Sequence, residues 1–131
     1  MTDEYRKTLT EYIGECWHEW KHIVPKGRDK YYDYMKCKKC KETHSGLGVT
    51  IKAQRTFTTP ADLHAVYSRM VEKGEWRAFG EVAYIKWLST IKSAKGLTPH
   101  EFNAWLFCLN APDQIPERLS MAAKFINERR K

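Results

Sequence analysis

Cys16, His18, Cys37 and Cys40 offer three thiols and one imidazole in two close pairs, the donor set that a tetrahedral zinc site takes. The C-x-x-C pair at 37–40 presents two thiolates from a tight knuckle, with Lys38 and Lys39 in the turn. Cys16 and His18 stand at i, i+2, and eighteen residues separate His18 from Cys37. A hairpin over that interval brings the pairs together in a zinc-ribbon-like site holding one structural Zn2+ per chain. Three thiolates and an imidazole fill all four positions, so hydrolysis at the ion is not expected. The ion instead supplies folding energy to a hairpin too small for its own core. A Cys-x-His half-site is less standard than a second C-x-x-C, so His22 or His44 could stand in for His18. Cys108, on an apolar helix stripe, reads as a small buried hydrophobe.

A competing motif overlaps this one. "HEWKH", His18 to His22, fits H-E-x-x-H, which in zinc peptidases lies on a helix so that both imidazoles reach one ion and the Glu activates its water. Only three positions are fixed, Pro25 and Gly27 follow closely, and the segment has strand character. A metallopeptidase is therefore the third reading. No Gly-rich phosphate loop and no nucleophile elbow accompany it. Glu72, Glu75 and Glu81 read better as solvated helix faces than as paired carboxylates. The expectation is a protein that is not an enzyme.

The elements that must position these donors follow from pattern. Thr2, Asp3 and Glu4 cap a short helix over residues 2–13, with Leu9, Tyr12 and Ile13 near one face. "WHEWKHIV" and "KYYDYMK" flank the turn "PKGRD" and predict a β-hairpin; "GVTIKA" is a further candidate strand. At Thr59 the period becomes helical. Thr59 and Pro60 open a helix carrying Leu63, Val66, Tyr67 and Met70, which Gly74 ends. Trp76, Phe79, Ala83, Trp87 and Ile91 mark a second helix to about residue 94. Thr98, Pro99 and Glu101 form a capping box for a third, with Phe102, Trp105, Leu106 and Leu109 as its stripe. After "NAPDQIP", Leu119, Ala122, Ala123 and Ile126 mark a last helix. The three tryptophans on these faces read as core. The fold class is α+β, mainly α: a zinc-ribbon-like hairpin packed on a C-terminal bundle of about four helices. Residues 1–58 form the N-terminal helix plus hairpin and 59–131 the helical region, together one compact unit.

Composition narrows the partners. The 131 residues are 42% hydrophobic and 13% aromatic, enough for a real core. A net charge of +7 favours anionic partners, and eight Lys/Arg against two Asp fall between Lys21 and Lys41. Lys36, Lys38, Lys39 and Lys41 surround the knuckle, beside Tyr31, Tyr32 and Tyr34. Basic residues interleaved with aromatics suit single-stranded nucleic acid, with Lys36, Lys38, Lys39, Lys41, Tyr32 and Tyr34 as candidate contacts. The same lysines also read as a solubilising rim around the metal. No segment approaches the ~20 apolar residues that span a bilayer, and "MTDEYRKTLTEY" lacks a signal peptide's apolar stretch. Cytoplasmic residence and reduced thiols are expected, which favours metal over disulfides.

The order C-x-H-x-W, an aromatic run into C-x-x-C, then "FTTPADLHAVYSRMVEKGEWRAF", "LNAPDQIPERL" and "AAKFI" resembles a group of small uncharacterised bacteriophage proteins, over residues 16 to about 127. The resemblance implies a phage or prophage origin, a bacterial host cytoplasm and a zinc-binding N-terminal half; it carries no established activity. His22 is not part of the shared pattern. Small phage accessory proteins commonly occupy host targets, so the first expectation is a non-enzymatic, anti-CRISPR-like or other anti-defence inhibitor of a host or defence-system protein. Nucleic-acid binding is the second.

Overall fold

The computed structural model describes residues 1–23, 34–41, 43–45, 55–91 and 98–130. In chain order the elements are α1 (Asp3–Tyr12), β1 (Trp20–Ile23), β2 (Tyr34–Cys37), β3 (Thr43–Ser45), α2 (Pro60–Glu72), α3 (Trp76–Thr90), α4 (Pro99–Leu106), a 3-10 turn (Pro112–Gln114) and α5 (Ile115–Arg129). This is the expected mainly-α α+β class. The chain divides into two compact units, Gly14–Gln54 and the pair Met1–Ile13 with Arg55–Lys131. Sequence grouped α1 with the hairpin, whereas packing places it among the helices. The Thr8 hydroxyl donates to Asn127 Oδ1 at 3.0 Å on α5, and Leu9 and Tyr12 join the helical core.

Each helix start follows from its capping residue. Thr2, Thr59 and Thr98 adopt extended backbone, and each side chain accepts an N–H from the first helical turn. This satisfies a donor that has no partner within the helix. The reciprocal box is complete at α2, where Asp62 at N3 also accepts from the Thr59 N–H. Pro60 and Pro99 stand at the first turns, where a missing N–H costs nothing.

Helix ends are equally local. After α2, Gly74 has φ +71, its N–H reaches Val71 O at 3.1 Å, and the Glu75 N–H reaches Met70 O at 2.8 Å. That is a Schellman closure, which glycine adopts without a Cβ penalty. After α4 the same pair of bonds forms, Cys108 N–H to Trp105 O at 3.2 Å and Leu109 N–H to Ala104 O at 3.0 Å. There Cys108 takes φ +54 in glycine's place. The reversal turns Leu109 out of the helix, 67% exposed. It is not part of the α4 stripe that the spacing predicted.

The core of the helical unit is built from Leu9, Phe57, Val66, Met70, Phe79, Leu106, Ile115, Leu119, Ala122, Ala123 and Ile126, with further residues around them. The Tyr67 hydroxyl donates to Leu106 O at 2.9 Å, so its one polar atom is satisfied inside. Tyr12 OH donates to Glu75 Oε1 at 2.9 Å, while Arg129 Nε lies 2.9 Å from Glu75 Oε2 and Arg69 Nε donates to Tyr12 O at 3.1 Å. Burial, and then the Glu75 carboxylate, push the Tyr12 phenol well above its ordinary range. Arg118 stacks 3.8 Å over the Trp105 ring and donates to Trp105 O.

Asp62, 6% exposed, accepts from Arg55 at 2.9 Å and from the Thr58 and Thr59 N–H groups at 3.2 Å. Burial opposes its ionisation, but the Arg55 and Thr59 hydrogen bonds outweigh it and hold the carboxyl below its usual range. The folded value lies below the unfolded one. Its stabilisation is therefore present above the unfolded range and lost as pH falls through the folded value. Asp62→Ala should lower unfolding free energy in urea titrations by about 2 kcal/mol at neutral pH. The gap from wild type should shrink under acid conditions.

Candidate metal centre

Within Gly14–Gln54 the strands form one antiparallel sheet in the order β1-β2-β3. Trp20 pairs with Cys37, Lys21 with Lys36, His22 with Met35 and Ile23 with Tyr34. β3, which sequence did not predict, adds Tyr34 opposite Ser45, Met35 opposite His44 and Lys36 opposite Thr43. The expected turn at 25–29 and strand at 48–53 lie outside the described residues, as do Tyr31 and Tyr32 and the side chains of His22, Tyr34 and His44.

Register delivers the two donor pairs to one end of the sheet. One further backbone bond, Lys38 N–H to Glu19 O at 2.9 Å, extends the β1–β2 ladder past Trp20 and Cys37. It sets the chain carrying Cys16 and His18 against the knuckle. The knuckle closes with Lys41 N–H to Cys37 O at 3.1 Å, and Lys41 then reverses the chain at φ +67.

The ligand atoms of Cys16, His18, Cys37 and Cys40 all lie within 4.8 Å of one another. Cys16 Sγ and Cys37 Sγ are 3.7 Å apart, and Cys40 Sγ is 3.4 Å from His18 Nδ1. Zinc bonds of about 2.3 Å to sulfur and about 2.0 Å to nitrogen give tetrahedral edges of about 3.8 Å and about 3.5 Å. The four residues are close enough to hold a metal ion, and the edges and donor set are compatible with zinc. The His18 ring stacks on Trp20 at 4.7 Å, which orients the imidazole. All four sequence-assigned ligands meet here.

The electrostatics favour a cation. Burial raises the Cys37 thiol, yet hydrogen bonds from the Cys40 backbone, His18, and the Lys39 and Glu19 backbones outweigh it and pull it down to about 5. Cys16 is pushed up to about 12, first by burial and then by its Cys40 and Cys37 neighbours. A cation between these donors would favour their thiolate forms over the thiols.

Residues 18–22 do not form the helix that a catalytic H-E-x-x-H requires. Residues 18 and 19 have no regular structure, and β1 begins at Trp20. Four extended steps separate Cα atoms by about 13 Å, against about 6 Å along a helix. Glu19 instead lies 3.5 Å from Lys39 Nζ.

Of the candidate nucleic-acid contacts, Lys36, Lys38 and Lys41 share a cavity of about 290 Å³ with Lys21, Ile23 and Cys37. Lys39 points elsewhere, to Glu19. Lys21 was missed as a site residue, because only the register places it opposite Lys36. No family model, curated protein or solved structure matches the chain.

Among the described residues of Gly14–Gln54, Cys37 alone is buried. The described residues therefore supply little apolar burial to hold the strands together. Chelation, or Cys37→Ser, should collapse the amide dispersion of β1 and β2 in NMR spectra. The resonances of α2 and α5, which have their own core, should persist.

Proposed function

We propose that the chain is a non-enzymatic binding protein of the phage accessory kind. It occupies a surface of a host or anti-phage defence protein in the bacterial cytoplasm, with one structural zinc holding residues 14–54 folded. The observation that carries this reading is the second apolar face of α3. Phe79, Ala83 and Trp87 are buried. At about 100° per residue, Tyr84, Ile85 and Leu88 fall on the far side of the helix. They are exposed, Ile85 at 68%.

An apolar face of this kind, left in water by the chain's own packing, marks a protein-binding surface. An open cavity of about 580 Å³ adjoins it, lined by Arg77, Gly80, Glu81, Tyr84, Ile85 and Phe102. A Cβ built at Gly80 would meet nothing within 4 Å, so intramolecular packing gives no reason for a glycine. It costs the helix about 1 kcal/mol relative to alanine while leaving room for a partner's side chain. The closed donor set supports a structural ion, since no coordination position is left for a reacting water. The inhibitory role is supported by the resemblance to phage proteins, and no helix of the described residues is long and apolar enough to cross a membrane.

The test compares wild type with Ile85→Glu and Leu88→Glu as bait in nuclease-treated host lysate, alongside phage plating on hosts carrying defence systems. A captured host protein should bind the variants about thirtyfold more weakly, or about 2 kcal/mol, and the variants should lose any rescue of phage plating. Gly80→Ala should raise thermal stability and yet weaken the same capture. Full retention of partners by both charge variants would contradict the reading.

A further inference from the structure

We infer that the lysine-lined groove of the metal-bearing unit is a binding site for the phosphodiester backbone of single-stranded nucleic acid. This inference concerns a different unit from the α3 face and stands or falls separately from it.

Three separate segments supply the groove's charge. Lys21 comes from β1, Lys36 from β2, and Lys38 and Lys41 from the knuckle, around a cavity of about 290 Å³. Among the described residues, the lining contains no acidic one. The sheet register makes this arrangement costly for the free protein. Lys21 and Lys36 are directly opposed partners on antiparallel strands, and like charges in that relation are destabilising. Among the described residues, the Glu19 carboxylate lies 3.5 Å from Lys39, which is outside the groove lining. The described strands therefore keep an unfavourable cation pair side by side.

The backbone also fixes the groove's far wall. Lys41 holds a left-handed conformation at φ +67, which side chains rarely adopt. Its Nζ donates to Lys38 O at 3.1 Å. Thr43, exposed and in register with Lys36, adds a hydroxyl on the same face of the sheet, and Ile23 contributes an apolar wall.

The donor chemistry selects the ligand. A carboxylate is best met by the planar fork of arginine, and none is among the described lining residues. Ammonium groups converging from several directions are point charges that suit a tetrahedral phosphate. A strand of linked phosphates can engage four of them at once, displacing condensed counterions as it binds.

The experiment uses the full zinc-loaded chain and a fluorescent mixed-sequence single-stranded 12-mer, titrated by anisotropy at several salt concentrations. The log of affinity should fall with log salt with a slope of about −2 to −3, as about four phosphate contacts require. Lys21→Glu with Lys36→Glu should weaken binding at least about tenfold and reduce the slope by about two units. Lys124→Glu, on α5, should leave both unchanged. The milder Lys21→Gln with Lys36→Gln, checked for zinc content and strand amide shifts, separates lost contacts from lost folding.

Three results would overturn the inference. One is absence of binding at low salt. A second is equal affinity of the Lys21/Lys36 variants and wild type. The third is competition by a glutamate polymer or inorganic pyrophosphate as effective as that by the oligonucleotide, which would mean a general anion site.

Discussion

The described part of residues 14–54 is arranged around four metal-ligating side chains. Its strands are four, four and three residues long, and Cys37 is the one described side chain there that is buried. A short sheet of that kind has little apolar area to set against chain entropy. What closes it is the meeting of Cys16, His18, Cys37 and Cys40 within 4.8 Å. The β1–β2 register, the Lys38 to Glu19 backbone bond and the knuckle reversal at Lys41 all serve that meeting. The lysine groove is in turn a by-product of the register that brings the donors together. A cation between the donors would give three crowded thiols a common counter-charge.

The helical unit is organised by a different constraint. Threonine caps fix where α1, α2 and α4 begin, and left-handed reversals at Gly74 and Cys108 fix where α2 and α4 stop. Within those limits the apolar stripes find one another across long sequence separations. On α3 the core takes Phe79, Ala83 and Trp87 and leaves Ile85 and Leu88 exposed. Tyr84 keeps ring contacts with Trp87 at 5.7 Å and Phe102 at 5.4 Å, whereas Ile85 and Leu88 stay exposed.

Much of this was legible from the chain. C-x-x-C with an upstream Cys-x-His is a chemical pattern, a hairpin is enough to unite its halves, and the four side chains do lie within 4.8 Å of one another. The caps at Thr2, Thr59 and Thr98 are likewise local events, written in adjacent residues. What sequence could not supply depended on distant partners or on backbone reversals without a glycine. The place of α1 depends on Asn127, far along the chain. Leu109 keeps the helical period, but the left-handed turn at Cys108 takes it out of the helix, and cysteine gives no warning of that turn. Lys21 lies sixteen positions before its neighbour Cys37 in the groove, and only the register joins them. The second face of α3 was hidden because attention to one stripe at 76, 79, 83 and 87 leaves 84, 85 and 88 looking like noise.

X-ray absorption at the zinc edge on the purified full-length chain tests the central claim most directly. The account predicts one zinc per chain with a first shell of three sulfurs at about 2.3 Å and one nitrogen at about 2.0 Å. A shell dominated by nitrogen and oxygen, or a folded β1–β2 pair in protein free of metal, would contradict it.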